Sequence, residues 1–251
     1  MNKIRIIPTI LHRNFSIVKG KNFASWRIVG NLHQVVKIYA LREVDEIIFL
    51  DLDAHKTNNI NLNLIKNFAT ECFMPVTVGG GVKNLFDIEN ILNAGADKVC
   101  INSEVFLNKN FIKKAVKRFG SQCISVSIDY MKHSDKKKYI YINSGKTFTK
   151  KKLFQWIDEI NELNVGEIIC TSINHEGMMN GFDIDTIKKI NELSKSPVIA
   201  SGGCGTPKDA LKLLKKTIVS GLSISSMFHF SEYTPLDVKE LLLKEKFKIR
   251  K

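Results

Sequence analysis

Two stretches decide the fold of this chain: PVTVGGGV at residues 75–82 and PVIASGGC at residues 197–204. Each is a short apolar run that ends in consecutive glycines, as expected of a buried parallel strand that turns sharply into a helix. Each is followed by a second apolar run, KVCINSEVF at 98–106 and IVSGLSISSMF at 218–228. The two pairs lie about half the chain apart, so the sequence indicates an internal repeat.

Outward from these glycines, short apolar runs alternate with longer amphipathic segments along the whole chain. The predicted strands are residues 4–11, 46–51, 76–78, 98–102, 124–129, 167–171, 198–201 and 218–224. The segments between them show helical periodicity, clearest in LFDIENILNAGA at 85–96, and YIYINSGK at 139–146 predicts a small hairpin.

Eight strands joined by helices predict an α/β chain with a (β/α)8 TIM barrel, for which 251 residues are an ordinary length. No linker or shift in composition divides the sequence. We therefore expect a single barrel domain over residues 1–251. The internal repeat predicts that it is built from two half-barrels, at about 1–120 and 121–251.

The composition is that of an ordinary globular protein, with 44% hydrophobic and 25% charged residues. The N-terminus does not resemble a signal peptide, and no apolar stretch approaches the length of a membrane span, so we expect a cytoplasmic protein that contacts no membrane. The net charge is +13, but the lysines are scattered and no aromatic residues are interleaved with them, which argues against a nucleic-acid partner. The 5 cysteines lack CxxC spacing, so neither a metal site nor a disulfide framework is expected.

Glycines and small polar residues follow several predicted strands and form two matching sets. The first set is Gly81, Asn102 and Ser103; the second is Gly177, Gly203, Ser225 and Ser226. Glycine lets backbone N–H groups approach an anion without hindrance from a Cβ atom, although it can also simply turn a strand into a helix. The symmetric repetition favours two phosphate cradles. We therefore expect a small ligand with a phosphate at each end, and no cofactor.

Asp129 ends the fifth predicted strand, in the run ISVSID. The C-terminal ends of barrel strands form the catalytic face, so this carboxylate is a candidate general acid or base. An aspartate here can also cap the next helix. The symmetric position at the end of the first strand holds Leu11, so the expected partner carboxylate is absent from the sequence.

Charged residues begin four of the strands, at the opposite end of the barrel. They are Arg5, Glu46, Lys98 and Glu167. Two cations and two anions that alternate around a barrel mouth can form a closed ring of salt bridges. Solvated charges at strand starts are the other explanation, and the pattern alone does not decide between them.

Taken together, these motifs resemble the cyclase subunit of imidazole glycerol phosphate synthase. The resemblance extends from about Arg5 to Phe230 and is carried by EIIFLDLDA, PVTVGGGV, GADKVCINS, GEIICTSI, EGMMNGFD and PVIASGGCG. In that family the barrel forms a heterodimer with a glutaminase at its N-terminal face. Ammonia from the glutaminase crosses the barrel and reacts with a bis-phosphorylated intermediate at the far face.

The resemblance also implies roles for individual residues. The two glycine and serine sets match the family's phosphate sites, and the four strand-start charges match its ammonia gate, which favours the ring. Asp97 matches a residue at the glutaminase interface. Lys19 and Phe23 fall on the flexible loop after the first strand, which closes over substrate in the family.

The departure from the family lies at its chemistry. The family uses two aspartates as an acid–base pair, and Asp129 matches one of them while Leu11 replaces the other. Leucine cannot transfer a proton, and losing one member of such a pair commonly costs orders of magnitude in rate. Glu176 stands where the family usually has Asp, and His12 and His175 are candidates for a substitute proton carrier.

In this respect the chain resembles a paralogous branch that retains the ring and the cradles but lacks the first aspartate. Its members serve amidotransferase systems that convert acetamido sugars to acetamidino sugars for surface polysaccharide such as lipopolysaccharide. We therefore expect an ammonia-channelling subunit that works with a glutaminase and a third, sugar-amidinating protein.

Two alternatives stay open. The first is a conventional cyclase, a lyase that converts the bis-phosphorylated PRFAR intermediate and ammonia to imidazole glycerol phosphate and AICAR in histidine biosynthesis. Leu11 argues against such turnover by the chain itself. The second is a barrel that only sequesters phosphates and activates the glutaminase.

Overall fold

The computed structural model describes residues 3–54 and 60–250, and the strands in them form one sheet. In chain order the strands are β1 (Arg5–Arg13), β2 (Ser16–Lys21), β3 (Ala24–Gly30), β4 (Ile47–Asp51), β5 (Val76–Gly79), β6 (Lys98–Ile101), β7 (Ile124–Lys132), β8 (Lys138–Ile142), β9 (Thr147–Lys152), β10 (Glu167–Ser172), β11 (Val198–Ser201) and β12 (Gly221–Ile224).

Eight of these strands close into a parallel barrel in the order β1-β4-β5-β6-β7-β10-β11-β12. The barrel closes where β12 pairs with β1, from Arg5 opposite Gly221 to Pro8 opposite Ile224. Their apolar side chains are buried, as expected of strands covered on both faces. The predicted (β/α)8 TIM barrel is confirmed.

Helices cover the outside of the barrel. In the described residues they are α1 (Leu32–Leu41), α2 (Leu62–Glu71), α3 (Leu85–Asn93), α4 (Ser103–Leu107), α5 (Lys109–Phe119), α6 (Leu153–Asn161), α7 (Ile184–Leu193), α8 (Pro207–Leu214), α9 (Ser226–Phe230) and α10 (Pro235–Lys244). Their starts are fixed locally: Asn84 and Asp87 form a capping box on α3, and Thr234 and Asp237 form one on α10. Within residues 3–54 and 60–250 no helix is both long and apolar enough to cross a membrane.

Two antiparallel hairpins project from the C-terminal end of the barrel. β2 and β3 continue from β1, with Leu11 opposite Val18, and β8 and β9 continue from β7, with Asp129 opposite Tyr141. β1 and β7 are diametrically opposed in the barrel, so the hairpins occupy equivalent places in the two halves. The second hairpin was predicted at residues 139–146, although its second strand, Thr147–Lys152, lies entirely beyond that segment.

The segment after the first strand, which carries Lys19 and Phe23, forms the hairpin of β2 and β3. Lys19 lies within β2, and Phe23 lies in the turn between β2 and β3. The first strand, predicted over residues 4–11, was ended too early: β1 runs on to Arg13 and supplies a backbone edge on which β2 pairs. The eighth barrel strand was also misplaced at its start: it begins at Gly221, and Ile218 is 73% exposed in the connection before it.

The core has two parts because successive strand residues point to opposite faces. Most buried apolar side chains lie between the barrel and its helices. A smaller cluster fills the barrel interior and consists of Ile7, Ile48, Cys100, Ile169 and Ile199. This inner layer separates the two ends of the barrel, and both ends carry the polar groups that the sequence singled out.

Candidate functional site

A cavity of about 340 Å³ opens at the C-terminal end of the barrel. Strand ends and both hairpins contribute to its walls, including Leu11 from β1 and Asp129 from β7 on opposite sides. Its acidic and basic lining residues are Lys19, Asp51, Lys83, Glu104, Asp129 and Glu176. Its larger apolar lining residues are Leu11, Phe23, Trp26, Ile48, Leu50, Leu52, Val82, Ile101, Leu107 and Ile169. The cavity therefore combines a few charged groups with a mainly apolar wall, as ligand sites commonly do.

Asp129 is buried at the side of this cavity. Burial raises the pKa of Asp129 to about 7, a hydrogen bond from Asn102 opposes that rise, and the charge of Glu176 adds to it. The amide Nδ2 of Asn102 donates to Asp129 Oδ2 at 3.0 Å and to the Ser127 carbonyl at 3.1 Å. A carboxyl with a pKa near neutral can both give and take a proton at physiological pH, as general acid–base catalysis requires.

Leu11 occupies the corresponding wall position on β1. Its side chain lines the cavity, whereas His12 points to the other face of the strand, where its ring lies 5.9 Å from that of Phe49. His12 Nδ1 is 3.6 Å from a carboxylate oxygen of Asp51. His175 is held by its Nδ1, 2.8 Å from the Gly181 carbonyl oxygen, and it does not line the cavity either. Neither histidine is placed to replace the missing carboxylate.

The hairpin β2–β3 is held over the cavity by an ion pair and hydrogen bonds that could not be predicted from the sequence. Lys19, whose side chain is only 2% exposed, forms an ion pair with Glu176 through its Nζ and Oε1 atoms. The backbone N–H of Asn22 donates to the Glu176 carbonyl at 2.8 Å, and Asn22 Nδ2 donates to the Ile173 carbonyl at 2.9 Å. Glu176 thus links three features: the hairpin, Asp129 and the second predicted cradle.

The first predicted cradle lies along the cavity wall. Gly81 has a left-handed φ of 71°, and a Cβ atom there would meet the backbone of Ala54 at 3.0 Å. Ser103 Oγ donates to Asn102 Oδ1 at 3.3 Å and accepts a hydrogen bond from the Asn143 N–H at 2.9 Å. Glu104, which the sequence pattern did not single out, follows Ser103 directly and also lines the cavity.

The second predicted cradle forms a separate, smaller pocket beside Glu176. It brings together Gly177, Gly203, Ser225 and Ser226. Ser225 and Ser226 are more than nine-tenths buried, and within the described chain neither Oγ atom has a hydrogen-bond partner. Buried hydroxyls normally find partners, so two unpaired ones that line the same pocket indicate a site for a polar ligand.

At the N-terminal end, the four predicted charges do form a closed ring. Arg5 donates to Glu46 at 2.6 Å and to Glu167 at 2.8 Å, while Lys98 Nζ lies 3.0 Å from Glu46 and 2.9 Å from Glu167. Burial alone would raise the pKa of Glu167, but Arg5 and Lys98 outweigh it and hold that pKa below its usual value. The explanation as independent solvated charges is therefore wrong.

Asp97 lies exposed beside Lys98 at this end of the barrel, and its Oδ2 accepts a hydrogen bond from the Val76 N–H at 2.8 Å. Between the ring and the cavity stand the inner apolar layer and a hydroxyl pair, Thr9 and Ser223, whose Oγ atoms are 2.6 Å apart. Among the residues that the structure describes, no three His, Cys, Asp or Glu side chains converge as metal ligands would.

Comparison with known proteins gives one family and several full-length relatives. Residues 5–234 match the family described as Histidine biosynthesis protein. A Campylobacter jejuni protein with the provisional name imidazole glycerol phosphate synthase subunit hisF2 is 41% identical over 250 residues, which is 100% of this chain and 99% of that protein.

Two further relatives carry the name imidazole glycerol phosphate synthase subunit HisF. The protein from Clostridium botulinum strain Alaska E43 is 40% identical over 252 residues, and all of both chains is covered. The protein from Streptococcus mutans is 35% identical over 251 residues, again with complete coverage of both chains. The similarity therefore includes the barrel, the cavity and the ring.

Proposed function

The chain belongs to the histidine biosynthesis protein family, as a relative of the cyclase-type HisF subunit of imidazole glycerol phosphate synthase, and from that premise we propose that it channels ammonia in a glutamine amidotransferase complex. A glutaminase subunit binds its N-terminal face, at Asp97 and the charged ring. Ammonia enters through the ring of Arg5, Glu46, Lys98 and Glu167 and leaves at the C-terminal cavity. A third protein uses it there to convert an acetamido sugar to an acetamidino sugar for surface polysaccharide.

One combination of observations carries this proposal. The ring is complete, with every cation bonded to both anions, while the wall opposite Asp129 presents Leu11 instead of a carboxylate. A ring that can admit ammonia is of use wherever ammonia is delivered. A two-carboxylate acid–base site is needed only where the barrel itself performs the chemistry.

The apolar interior supports passage of the neutral molecule. Ile7, Ile48 and Ile169 belong to a layer that would strongly disfavour ammonium ion, because its desolvation is costly, whereas the desolvation of neutral ammonia costs much less.

The cytoplasm is the compartment that we propose for the complex, because all 5 cysteines of the chain are free thiols, as is usual in a reducing compartment.

A conventional cyclase is the second candidate, and two observations favour it. A protein named as a HisF subunit matches the whole chain at 40% identity, and Asp129 has a pKa of about 7 in the cavity. In this alternative the ligand is the bis-phosphorylated histidine-pathway intermediate, and Asp129 alone, or with Glu176, moves the protons.

Turnover of the histidine-pathway substrate separates the two candidates. With ammonium salt as nitrogen donor, we expect the purified chain to form imidazole glycerol phosphate far below a kcat of about 1 s⁻¹, the low end of ordinary enzyme rates. Leu11→Asp should raise that rate by orders of magnitude, while Leu11→Asn, similar in size and unable to transfer a proton, should not. A kcat at or above about 1 s⁻¹ for the unaltered chain would establish the cyclase instead.

The channel is tested separately by Lys98→Glu in the complete complex. Three carboxylates would then face Arg5, so the ring cannot close in the same way, and we expect glutamine-dependent product formation to fall while ammonium-dependent formation stays unchanged. Lys109→Glu is the matched control, because Lys109 pairs with Glu159 on the outside of the barrel. Equal glutamine-dependent activity in the Lys98 variant would count against the channel.

A further inference from the structure

The two hairpins at the cavity mouth carry almost all of the chain's excess positive charge. With their turns they comprise residues 13–30 and 132–152, called here the basic rim, and they hold 12 of the 38 Lys and Arg residues but 1 of the 25 Asp and Glu residues. The basic rim therefore has +11 of the net charge of +13, and the rest of the chain is close to neutral. A surface of one sign attracts and orients a partner of the opposite sign.

Most of these cations are available to a partner. Ion pairs within the described residues engage Arg13, Lys19, Lys137 and Lys151. Seven others are exposed and form no ion pair within the described residues: Lys21, Arg27, Lys132, Lys136, Lys146, Lys150 and Lys152. Because they are distributed over both hairpins, one small anion cannot contact them all, whereas an extended acidic surface can.

Four rings on the second hairpin form an apolar patch among these charges. The ring of His133 lies 4.9 Å from the rings of Tyr139 and Phe148, and its Nε2 is 2.8 Å from the Tyr141 hydroxyl. Phe148 is 41% exposed. Tyr141 is opposite Asp129 in the sheet, so this aromatic patch lies on the face that carries Asp129, above the cavity. Partly exposed aromatic side chains surrounded by charge are common anchors of protein–protein interfaces.

The two hairpins meet over the cavity, so the basic rim is one continuous surface. A Cβ atom on Gly145 would come within 2.7 Å of the Phe23 ring, which places the inner turns of the two hairpins against each other. Asn143 and Ser144 of the same turn line the cavity. A stable interface uses about 20–30 residues on each side, and the basic rim offers 39. A protein seated on it would cover the mouth of the cavity.

A protein fits this surface better than a nucleic acid or a membrane. The rings of the aromatic patch pack on one another, so their faces are not open to stacking bases. At the outer turns, residues 134–137 are polar and Phe15 is the single large apolar side chain, which is too little apolar surface to insert into a bilayer.

We propose that the basic rim docks the ammonia-accepting protein, through an acidic surface of that protein that surrounds a pocket for the aromatic patch. This inference rests on the proposed function and deepens it, because it assigns the third protein a binding site on this chain. Docking there covers the cavity mouth, so ammonia passes to the acceptor without entering bulk solvent. The glutaminase and the acceptor then occupy opposite ends of the barrel.

Photo-cross-linking in the cells that naturally make this chain tests where the partner binds. Lys136→p-benzoylphenylalanine places the probe on the basic rim, and Lys113→p-benzoylphenylalanine places it on the exposed side of α5 as the control. We expect position 136, and not position 113, to capture one protein distinct from the glutaminase, through a peptide rich in Asp and Glu. Capture of nucleic acid, lipid, a second copy of this chain or no partner at all would overturn the proposal.

Charge reversal measures the electrostatic part with the captured protein once it is purified. Lys132→Glu/Lys136→Glu should weaken its binding to the purified chain about 10-fold or more, because both exposed charges change sign at the docking surface. Lys113→Glu/Lys117→Glu on α5 makes the same change in net charge, and should alter the affinity less than about 2-fold because salt screens distant charges. Equal effects of the two double variants would indicate attraction by net charge alone and would overturn the assigned surface.

Phe148→Ala tests the aromatic patch. We expect it to weaken binding of the captured protein about 10-fold or more, whereas Phe148→Tyr, which keeps the ring, should change the affinity less than about 3-fold. Both variants should bind the glutaminase as the unaltered chain does, which checks that the barrel is folded. Undiminished binding of the captured protein by the Phe148→Ala variant would overturn the patch as an anchor.

The outcomes separate this inference from the proposed function. A partner captured from position 113 instead of position 136 would refute the docking surface and leave the ammonia-transfer experiment with Lys98→Glu unaffected. Equal glutamine-dependent activity in the Lys98→Glu variant would refute the channel, whatever protein binds the basic rim.

Discussion

At the scale of single residues, Asp129 shows how position alone changes chemistry. The run ISVSID gives no sign that this carboxyl differs from any other aspartate. In the folded chain, burial raises its pKa to about 7 although Asn102 donates a hydrogen bond that favours the ionised form. The residue is therefore a proton carrier near neutral pH whether or not the chain turns over a substrate.

The raised pKa predicts how stability depends on pH. Between the ordinary value of 3.8 and about 7, the folded protein holds a proton on Asp129 that the unfolded chain has released, so stability falls as pH rises through this window. Relative to Asp129→Asn, the unaltered chain should lose up to about 1.4 kcal/mol of unfolding free energy per pH unit. Urea denaturation of both proteins from pH 5 to pH 9 measures the difference.

Asp135→Asn is the control for this experiment. Asp135 is exposed and its pKa is lowered, chiefly by a hydrogen bond from the Lys137 N–H, so it stays ionised throughout the range from pH 5 to pH 9. The stability difference between this variant and the unaltered chain should therefore be constant with pH. A constant difference for Asp129→Asn as well would show that Asp129 is not held protonated by the fold.

At the scale of elements, the hairpin β2–β3 is the part of the fold that sets access to the cavity. It lies against the loop after β10 so closely that a Cβ atom on Gly177 would come within 2.1 Å of the Gly20 carbonyl oxygen. Lys19 and Asn22 fasten the hairpin to Glu176 and its neighbours. The glycine at position 177 is thus required by close backbone approach as well as by its φ of 77°.

Gly177→Ala should displace the hairpin. Gly181→Ala is the matched control, because Gly181 has a similar left-handed φ of 94° but its nearest neighbour would be 3.6 Å from the added Cβ. We expect the control to lose about 1–2 kcal/mol of stability from backbone strain alone. Gly177→Ala should lose more and should also show faster hydrogen exchange at the amides of β2. Similar exchange in both variants would mean that the hairpin does not depend on this contact.

At the scale of the whole molecule, the ring of Arg5, Glu46, Lys98 and Glu167 joins strands that are distant in the chain. Each carboxylate is bonded to both cations, and the two carboxylates are nearly inaccessible to solvent. Thr77 and Ser125 donate further hydrogen bonds to Glu46 and Glu167, at 2.7 and 2.9 Å. Every buried charge in the ring is therefore paired and hydrogen-bonded within the ring and its neighbours, as burial of a charge requires.

Removing one cation from the ring should be costly. Arg5→Met leaves two buried carboxylates with Lys98 alone, and we expect a loss of about 3–5 kcal/mol in the free energy of unfolding. Lys195→Met is the control, since its pair with Glu162 is about 70% exposed on both sides and should contribute less than about 1 kcal/mol. Chemical denaturation of both variants measures the contrast. Equal losses would indicate that the ring is open to water in solution.

Much of the barrel could be predicted from the sequence, because its signals are local. A short apolar run that ends in glycine at Gly79 or Gly202 specifies a strand and a turn within a few residues, whatever the rest of the chain does. The location of the four ring residues was also predictable, because charges where parallel barrel strands begin lie at the N-terminal mouth; whether they pair with one another was not. For the same reason Asp129 and Leu11 were expected at the cavity.

Only the tertiary structure decided how side chains far apart in the chain are paired. The contact between Lys19 and Glu176 joins residues 157 positions apart, and Ser225 and Ser226 are without partners only because the surrounding strands bury them. Glu104 could be identified as a lining residue of the cavity only from the folded structure, in which α4 holds it on the cavity wall. Periodicity and turn chemistry are fixed by neighbours along the chain, whereas burial, pKa and hydrogen-bond satisfaction depend on neighbours in space.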